Sequence, residues 1–409
     1  MKGFGRAWSF WNDTLAKYWL GGWLPFLLLS PEISLGLAGF FVDAYFILLL
    51  GLSVWFVFGE RGAKLQLRSG QFIKVSLILA VTCFLSVFFI QLLLSDESVG
   101  VRAHLVSSEG REAGTFGTLK FSASLAYSSL FRALTFIVFT YMLAWCLSLS
   151  SRRGRISFAY GVIGVACVYQ AFWYFMYFCG EHVTLAKLLM PELIGTVGVE
   201  KIATTRFGIP RFSAGFSEPS FMSVVVFAAS YVISFLGASR KGAGVALIGV
   251  LFLIVTTMSL TMLVAAFTLI SAMFAPRILS IGLLLVITVL QFLYLILSSG
   301  FVPDELYSVV VRLFMQTDLA TLSPSQVLFG VAFGQVYNFL PLHNLIVQLG
   351  LVFSVFLFFI VFLTRSAFVV PPVFVVLLVA PSLSHVWVYL SVAIIIGCCG
   401  KSRNRIDYE

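Results

Sequence analysis

The sequence predicts an all-α polytopic membrane protein, and three observations predict it. Of its 409 residues, 60% are hydrophobic and 16% aromatic, with only 11% charged. Apolar runs of the roughly 17–25 residues needed to cross ~30 Å of hydrocarbon recur along the chain. Lysine and arginine concentrate in alternate loops, as they do on the side of a membrane that retains cationic segments.

About twelve spans are read in order, near 18–35, 37–58, 72–94, 123–150, 156–179, 219–237, 243–257, 259–275, 278–299, 342–364, 367–383 and 385–400. The N-terminal stretch runs into the first of them without a small-residue cleavage pattern, so no cleavable signal peptide is expected. Residues 243–275 form one apolar stretch, too long for a single crossing and too short for two full ones. A tight turn near Thr257–Ser259 is therefore expected, with Pro276 closing the far end. Three long polar loops, Ser95–Ser122, Gly180–Ala214 and Gly300–Pro341, fall on one side by an alternating-side count. With no soluble domain, repeat or low-complexity linker, residues 1–409 read as a single integral membrane domain.

With the N-terminus taken as cytoplasmic, the inner segments hold Lys2, Arg6, Lys17, Arg61, Lys64, Arg68, Lys74, Arg152, Arg153, Arg155, Arg240, Lys241, Arg277, Arg365, Lys401, Arg403 and Arg405. The outer loops hold Arg102, Arg111, Lys120, Lys187, Lys201, Arg206, Arg211 and Arg312. Both termini are then cytoplasmic. The net charge of +9 is mostly this topology signal and not a nucleic-acid footprint. Cys83, Cys146, Cys167, Cys398 and Cys399 fall in apolar spans and Cys179 at a span end, a distribution of packing residues and not of a disulfide framework or metal site.

Asp43 and Arg132 lie within spans, where a lone charge costs about 2.5–3.5 kcal/mol on insertion scales. They pair, snorkel outward, or line a polar cavity beneath the outer loops. For Asp43, near a span end, the structural explanation is preferred; for Arg132 both stand.

The second long loop ends Arg206-Phe-Gly-Ile-Pro-Arg211-Phe-Ser-Ala-Gly215-Phe-Ser-Glu218-Pro219-Ser220, directly before a span. Proline suits the first turn of a helix, and Ser217 and Glu218 sit where a cap or a dipole-complementing carboxylate belongs. Arginine at this surface grips a phosphate with two parallel hydrogen bonds. The third loop carries Arg312 alone among apolar neighbours, the pattern of a short amphipathic helix whose arginine is an interfacial anchor or a ligand. Then come Leu328-Phe-Gly330-Val-Ala-Phe-Gly334 and Pro341-Leu-His343-Asn344. His343 opens an apolar span, either as a satisfied hydrogen-bonded imidazole or as a general base near neutral pH. The pairs Asp96-Glu97 and Asp304-Glu305 read as solvated loop charges, because neighbouring side chains diverge and no further oxygen ligands cluster nearby. No metal and no cofactor are expected.

Over about residues 200–365 these motifs, in this order, resemble bacterial O-antigen polymerases of the Wzy type, within the O-antigen polymerase and ligase superfamily. Thr256-Thr-Met-Ser-Leu-Thr261 is similar to that family's polar break between two short spans. Two departures stand out: the spacing from His343 to Gly350 is short, and Ala332 replaces a glycine often seen in the Phe-Gly-x-Gly segment. The resemblance implies a multi-span, metal-independent glycosyltransferase of the bacterial inner membrane, its outer loops carrying short helices. It implies transfer of a growing glycan from undecaprenyl diphosphate to an incoming undecaprenyl-diphosphate-linked repeat unit at the periplasmic face. It also implies a chain-length regulator as a partner beside membrane lipids. Carried onto this chain, His343 orients or deprotonates the acceptor hydroxyl, and Arg211 and Arg312 bind the donor diphosphate. Arg206 is a further phosphate ligand, Glu218 orients Arg211, and Asn344 and Arg132 belong to the substrate site. A ligase transferring glycan to lipid A–core and a lipid-linked oligosaccharide flippase are the alternatives.

Overall fold

The computed structural model describes residues 33–37, 40–43, 67–94, 98–103, 114–120, 123–150, 152–179, 194–196, 204–206, 209–211, 219–237, 239–257, 259, 262–274, 315–317, 323–331, 341–362, 369–379 and 386–399. Side chains are described only on helices and the turns that adjoin them, so this part of the protein is all-helical. The helices are α1 (Leu67–Leu93), α2 (Ala123–Leu149), α3 (Arg152–Phe178), α4 (Pro219–Phe235), α5 (Arg240–Thr257), α6 (Met262–Phe274), α7 (Pro324–Phe329), α8 (Pro341–Phe362), α9 (Val370–Val379) and α10 (Val386–Cys399). Proline stands in the first turn of α4, α7, α8 and α9, where its missing N–H is no loss and its fixed φ suits the helix. A capping box reinforces α7, with Ser323 accepting from the Gln326 backbone and the Gln326 side chain accepting from the Ser323 N–H at 2.9 Å.

Nine of the stretches read as spans are helices at close to the expected positions, from α1 to α6 and from α8 to α10. Among the described residues, α3 and α5 are long and apolar enough to cross a membrane. The expected span 278–299 lies outside the described residues, as does most of 18–35 and 37–58.

Short backbone pairings replace helix at several places. Strands β1 (Ile33–Leu37) and β2 (Phe40–Asp43) pair antiparallel in the register Leu37↔Phe40, so Asp43 ends a strand. Their β-branched and aromatic residues suit that pairing. In the first long loop, β3 (Ser98–Ala103) and β4 (Gly114–Lys120) pair antiparallel. In the second, β5 (Ile194–Thr196) joins β1, while β6 (Thr204–Arg206) pairs with β7 (Ile209–Arg211). In the third, β8 (Met315–Thr317) joins β3. Of the short helices expected in these loops, α7 is the one among the described residues.

By its contacts the chain divides into two units. The first comprises 1–64, 142–279 and 393–399, and the second 65–141, 280–392 and 400–409.

In the first unit α4 packs on α3 and α6, and α5 packs on α3 and α6. Every residue from Met222 to Ser234 is buried, as expected of a helix apolar around its whole circumference. Arg152 donates from Nε to Leu236 O at 2.9 Å, placing a cation on the carbonyl end of α4. Arg155, three residues further along α3, is not solvated. It is buried and donates from Nη1 to Cys398 O at 2.9 Å, meeting the carbonyl end of α10. Along α5 the residues Val245, Ile248 and Val255 are exposed at 66%, 69% and 69%, an apolar face turned away from the core.

In the second unit α8 packs on α1, α7 and α9. Phe88 of α1 lies 4.7 Å from the Tyr127 ring, and Thr140 Oγ1 donates to Tyr389 O at 3.2 Å. Helix α8 is interrupted at Gly350, whose φ of 72° and ψ of 169° are non-helical. Gly330, ending α7, has φ 70° and ψ 177°. Both lie in a region that only glycine enters at low cost. They also face each other, since a methyl group on Gly330 would lie 2.8 Å from Gly350 N and one on Gly350 would strike the backbone of Leu328, Phe329 and Gly330.

Gly350→Ala is therefore expected to destabilise the protein by about 1–3 kcal/mol from backbone strain, with the steric overlap added to it. Thermal unfolding in detergent measures this, and an unchanged midpoint would refute the contact.

Candidate functional site

The residues singled out in the sequence fall into separate local groups. Arg206 and Arg211 belong to one tight hairpin, in the register Thr204↔Arg211 and Arg206↔Ile209. Backbone pairing thus brings two arginine positions of the second loop together, in the first unit. Pro219 begins α4 directly after that loop, as expected, while Glu218 lies outside the described residues. In the second unit His343 and Asn344 stand in the first turn of α8, and Arg132 lies within α2. Arg312 lies outside the described residues, as do both carboxylate pairs.

What the structure adds is the polar chemistry behind these groups. In the second unit it surrounds the break in α8. An interrupted helix leaves carbonyls without their usual i+4 donors, and burying them unsatisfied costs about 1–3 kcal/mol each. Gln91, buried in α1, supplies the remedy. Its Nε2 donates to Gln348 O at 2.7 Å and to Phe329 O at 2.9 Å, bridging α8 and α7. Val331 N donates to Val347 O at 2.8 Å, and Ser354 Oγ to Gly350 O at 2.6 Å. The Phe329-Gly330 pair is therefore seated on α8 one helical turn and more beyond His343. Gly350 lies seven positions after His343, about 10 Å of helix at ~1.5 Å per residue.

The first unit has a second polar cluster at the gap between α5 and α6. The sequence placed a turn near Thr257–Ser259, and α5 ends at Thr257 while α6 begins at Met262. Thr256 O, among the last carbonyls of α5, accepts from Tyr174 Oη at 2.9 Å and from Gln170 Nε2 at 3.3 Å, both carried by α3. Ser223 of α4 and Ser259 in the gap share a hydrogen bond at 2.8 Å. The cluster consists of hydroxyls, amides and carbonyls, so it satisfies the backbone and contains no group suited to accept a proton in catalysis. Among the described residues no three His, Cys, Asp or Glu side chains are grouped to hold a metal ion.

Gln91, Gln170 and Tyr174 were not singled out in the sequence. A lone glutamine in Phe-Phe-Ile-Gln91-Leu-Leu-Leu is a visible signal, because an amide in an apolar run needs a buried partner. The sequence does not say where that partner is. Compared with protein-family models, curated proteins and solved structures, the chain matches none.

Tyr174→Phe is expected to lower stability by about 1 kcal/mol through loss of one donor to Thr256 O. Combined with Gln170→Leu, the loss should exceed the sum of the single changes, because the carbonyl then loses both donors. Chemical unfolding of the two single variants and the double variant reads this directly; strict additivity would contradict it.

Proposed function

We propose that the protein is a metal-independent membrane glycosyltransferase that polymerises lipid-linked polysaccharide repeat units in the bacterial inner membrane. The observation that carries this reading is the seating of the Phe329-Gly330 segment on the helix opened by His343 and Asn344. Two motifs on which the resemblance to O-antigen polymerases rests are thereby physically joined. The Arg206–Arg211 hairpin supplies a second support, since two arginine positions on one hairpin suit a diphosphate. The apolar outer faces of α3 and α5 suit hydrocarbon, with Val168, Phe175, Ile248 and Val255 all exposed.

In this reading the acceptor sugar hydroxyl loses its proton to the neutral imidazole of His343 as its oxygen attacks the anomeric carbon of the donor. The bond from that carbon to the diphosphate oxygen breaks, and undecaprenyl diphosphate departs with the electron pair. Arg211 and Arg312 stabilise the charge that gathers on this leaving group, with Arg206 as a further phosphate ligand. Glu218 orients Arg211, while Asn344 and Arg132 contribute polar contacts to the glycan or diphosphate. The same machinery serves a ligase whose acceptor is lipid A–core.

One observation favours a different class. Each unit contains a break in helical backbone, between α5 and α6 in the first and within α8 in the second. Discontinuous helices are the building material of transporter sites, so a lipid-linked oligosaccharide flippase is the second reading. The product pattern in cells separates the two. A strain lacking a polymerase retains single repeat units on its surface glycolipid, whereas a strain lacking a flippase shows little surface glycan.

Purified protein supplied with a defined undecaprenyl-diphosphate-linked repeat unit should yield polymer detectable by mass analysis. His343→Ala and Arg211→Ala should each cut chain extension by about a hundredfold or more at unchanged protein level. Near-wild-type polymer from either variant removes that residue from its role. Arg312→Lys should also lose rate, because a point charge does not reproduce the planar fork; full activity would mean that charge alone suffices.

A further inference from the structure

We infer that Gln91 is a positioning residue, a clamp that fixes the half-helix carrying His343. The inference deepens the proposed function and rests on it. Residues 341–349 form the first part of α8, and at Gly350 the helical backbone is interrupted. An intact helix holds its two ends in register through continuous hydrogen bonds, and a break removes that continuity. The half-helix is held from outside instead. Gln91 Nε2 donates to Gln348 O at its end and, with the same nitrogen, to Phe329 O of the neighbouring α7. Val331 N grips Val347 O one residue earlier. Gly330 and Gly350 allow the two backbones to meet with no side chain between them, and a methyl on Gly330 would lie 2.7 Å from Gln91 Nε2 itself. The amide is 1% exposed, so its hydrogen bonds do not compete with water.

Gln91 touches neither reacting atom and acts through α8. A small misplacement of a catalytic base costs rate steeply, about a hundredfold for ~1 Å. The expected signature is thus a loss in kcat that far exceeds any change in KM, since the diphosphate-binding arginines lie on other segments and Asn344 shares the half-helix with His343.

The test uses the full-length protein reconstituted in lipid nanodiscs, with an undecaprenyl-diphosphate-linked repeat unit as substrate. Gln91→Leu, of similar volume but without a donor, should lower kcat by about a hundredfold and change KM far less. Gln91→Asn, which keeps the amide on a shorter stem, should recover part of that loss. Amide hydrogen exchange over residues 341–349 should quicken in Gln91→Leu while exchange in α4 stays unchanged. If wild-type protein makes no polymer, or His343→Ala makes it normally, the proposed function fails. If those controls behave as expected but Gln91→Leu keeps its kcat and its exchange protection, the clamp is refuted and the function stands. Should both Gln91 variants fail to accumulate, the residue is a general requirement for assembly, and a specific positioning role is likewise refuted.

Discussion

A helix that stops inside an apolar bundle must still satisfy its last carbonyls, and that constraint organises much of this structure. Water is scarce among packed apolar helices, so each interruption has to recruit donors from a neighbouring helix. The break in α8 recruits Gln91 and Val331, and the gap between α5 and α6 recruits Gln170 and Tyr174. The buried end of α10 recruits Arg155. Apart from Val331, which donates its backbone N–H, a side chain on one helix completes the backbone of another, so these polar groups fix which helices are neighbours. Apolar packing alone tolerates sliding and exchange of similar residues more readily.

The same constraint explains what was legible in the sequence. Helix positions could be read because apolar run length and first-turn prolines are local signals; Pro219 and Pro341 mark the starts of α4 and α8 directly. The gap after Thr257 was legible because 243–275 is too long for one crossing and too short for two. Gln91 was visible as an anomaly, yet its partners lie 238 and 257 positions away and no local pattern points to them. Arg155 counts in the sequence only as an inner-segment cation, and its position near a span end looks the same whether the side chain meets solvent or the end of α10.

The candidate site was legible to a different degree. Its residue types came from motif order, and the structure adds local groupings: the arginine hairpin and the first turn of α8. The strand pairings in the long loops were missed because segments such as Gly114–Lys120 mix glycine, threonine and lysine with Phe116 and Leu119 three positions apart, which leaves no period-2 apolar pattern to mark a strand. The Gly330–Gly350 junction was half visible. Both glycines had been noticed as motif members, while their mutual contact depends on a backbone geometry that only the folded chain reveals.

Gln91 also has a history during synthesis. Helix α1 emerges before α8, and its amide waits until residues 257 positions later have been made before it can meet Gln348. At ~5–20 residues per second that interval is roughly 10–50 s. During it, α1 carries a donor with neither of these carbonyls to bond, so its polar edge invites a temporary partner, whether another segment of the nascent chain or a water drawn inward. The ribosome delivers the lock before the key, and the maturing protein must shelter this buried amide until Gln348 has been made.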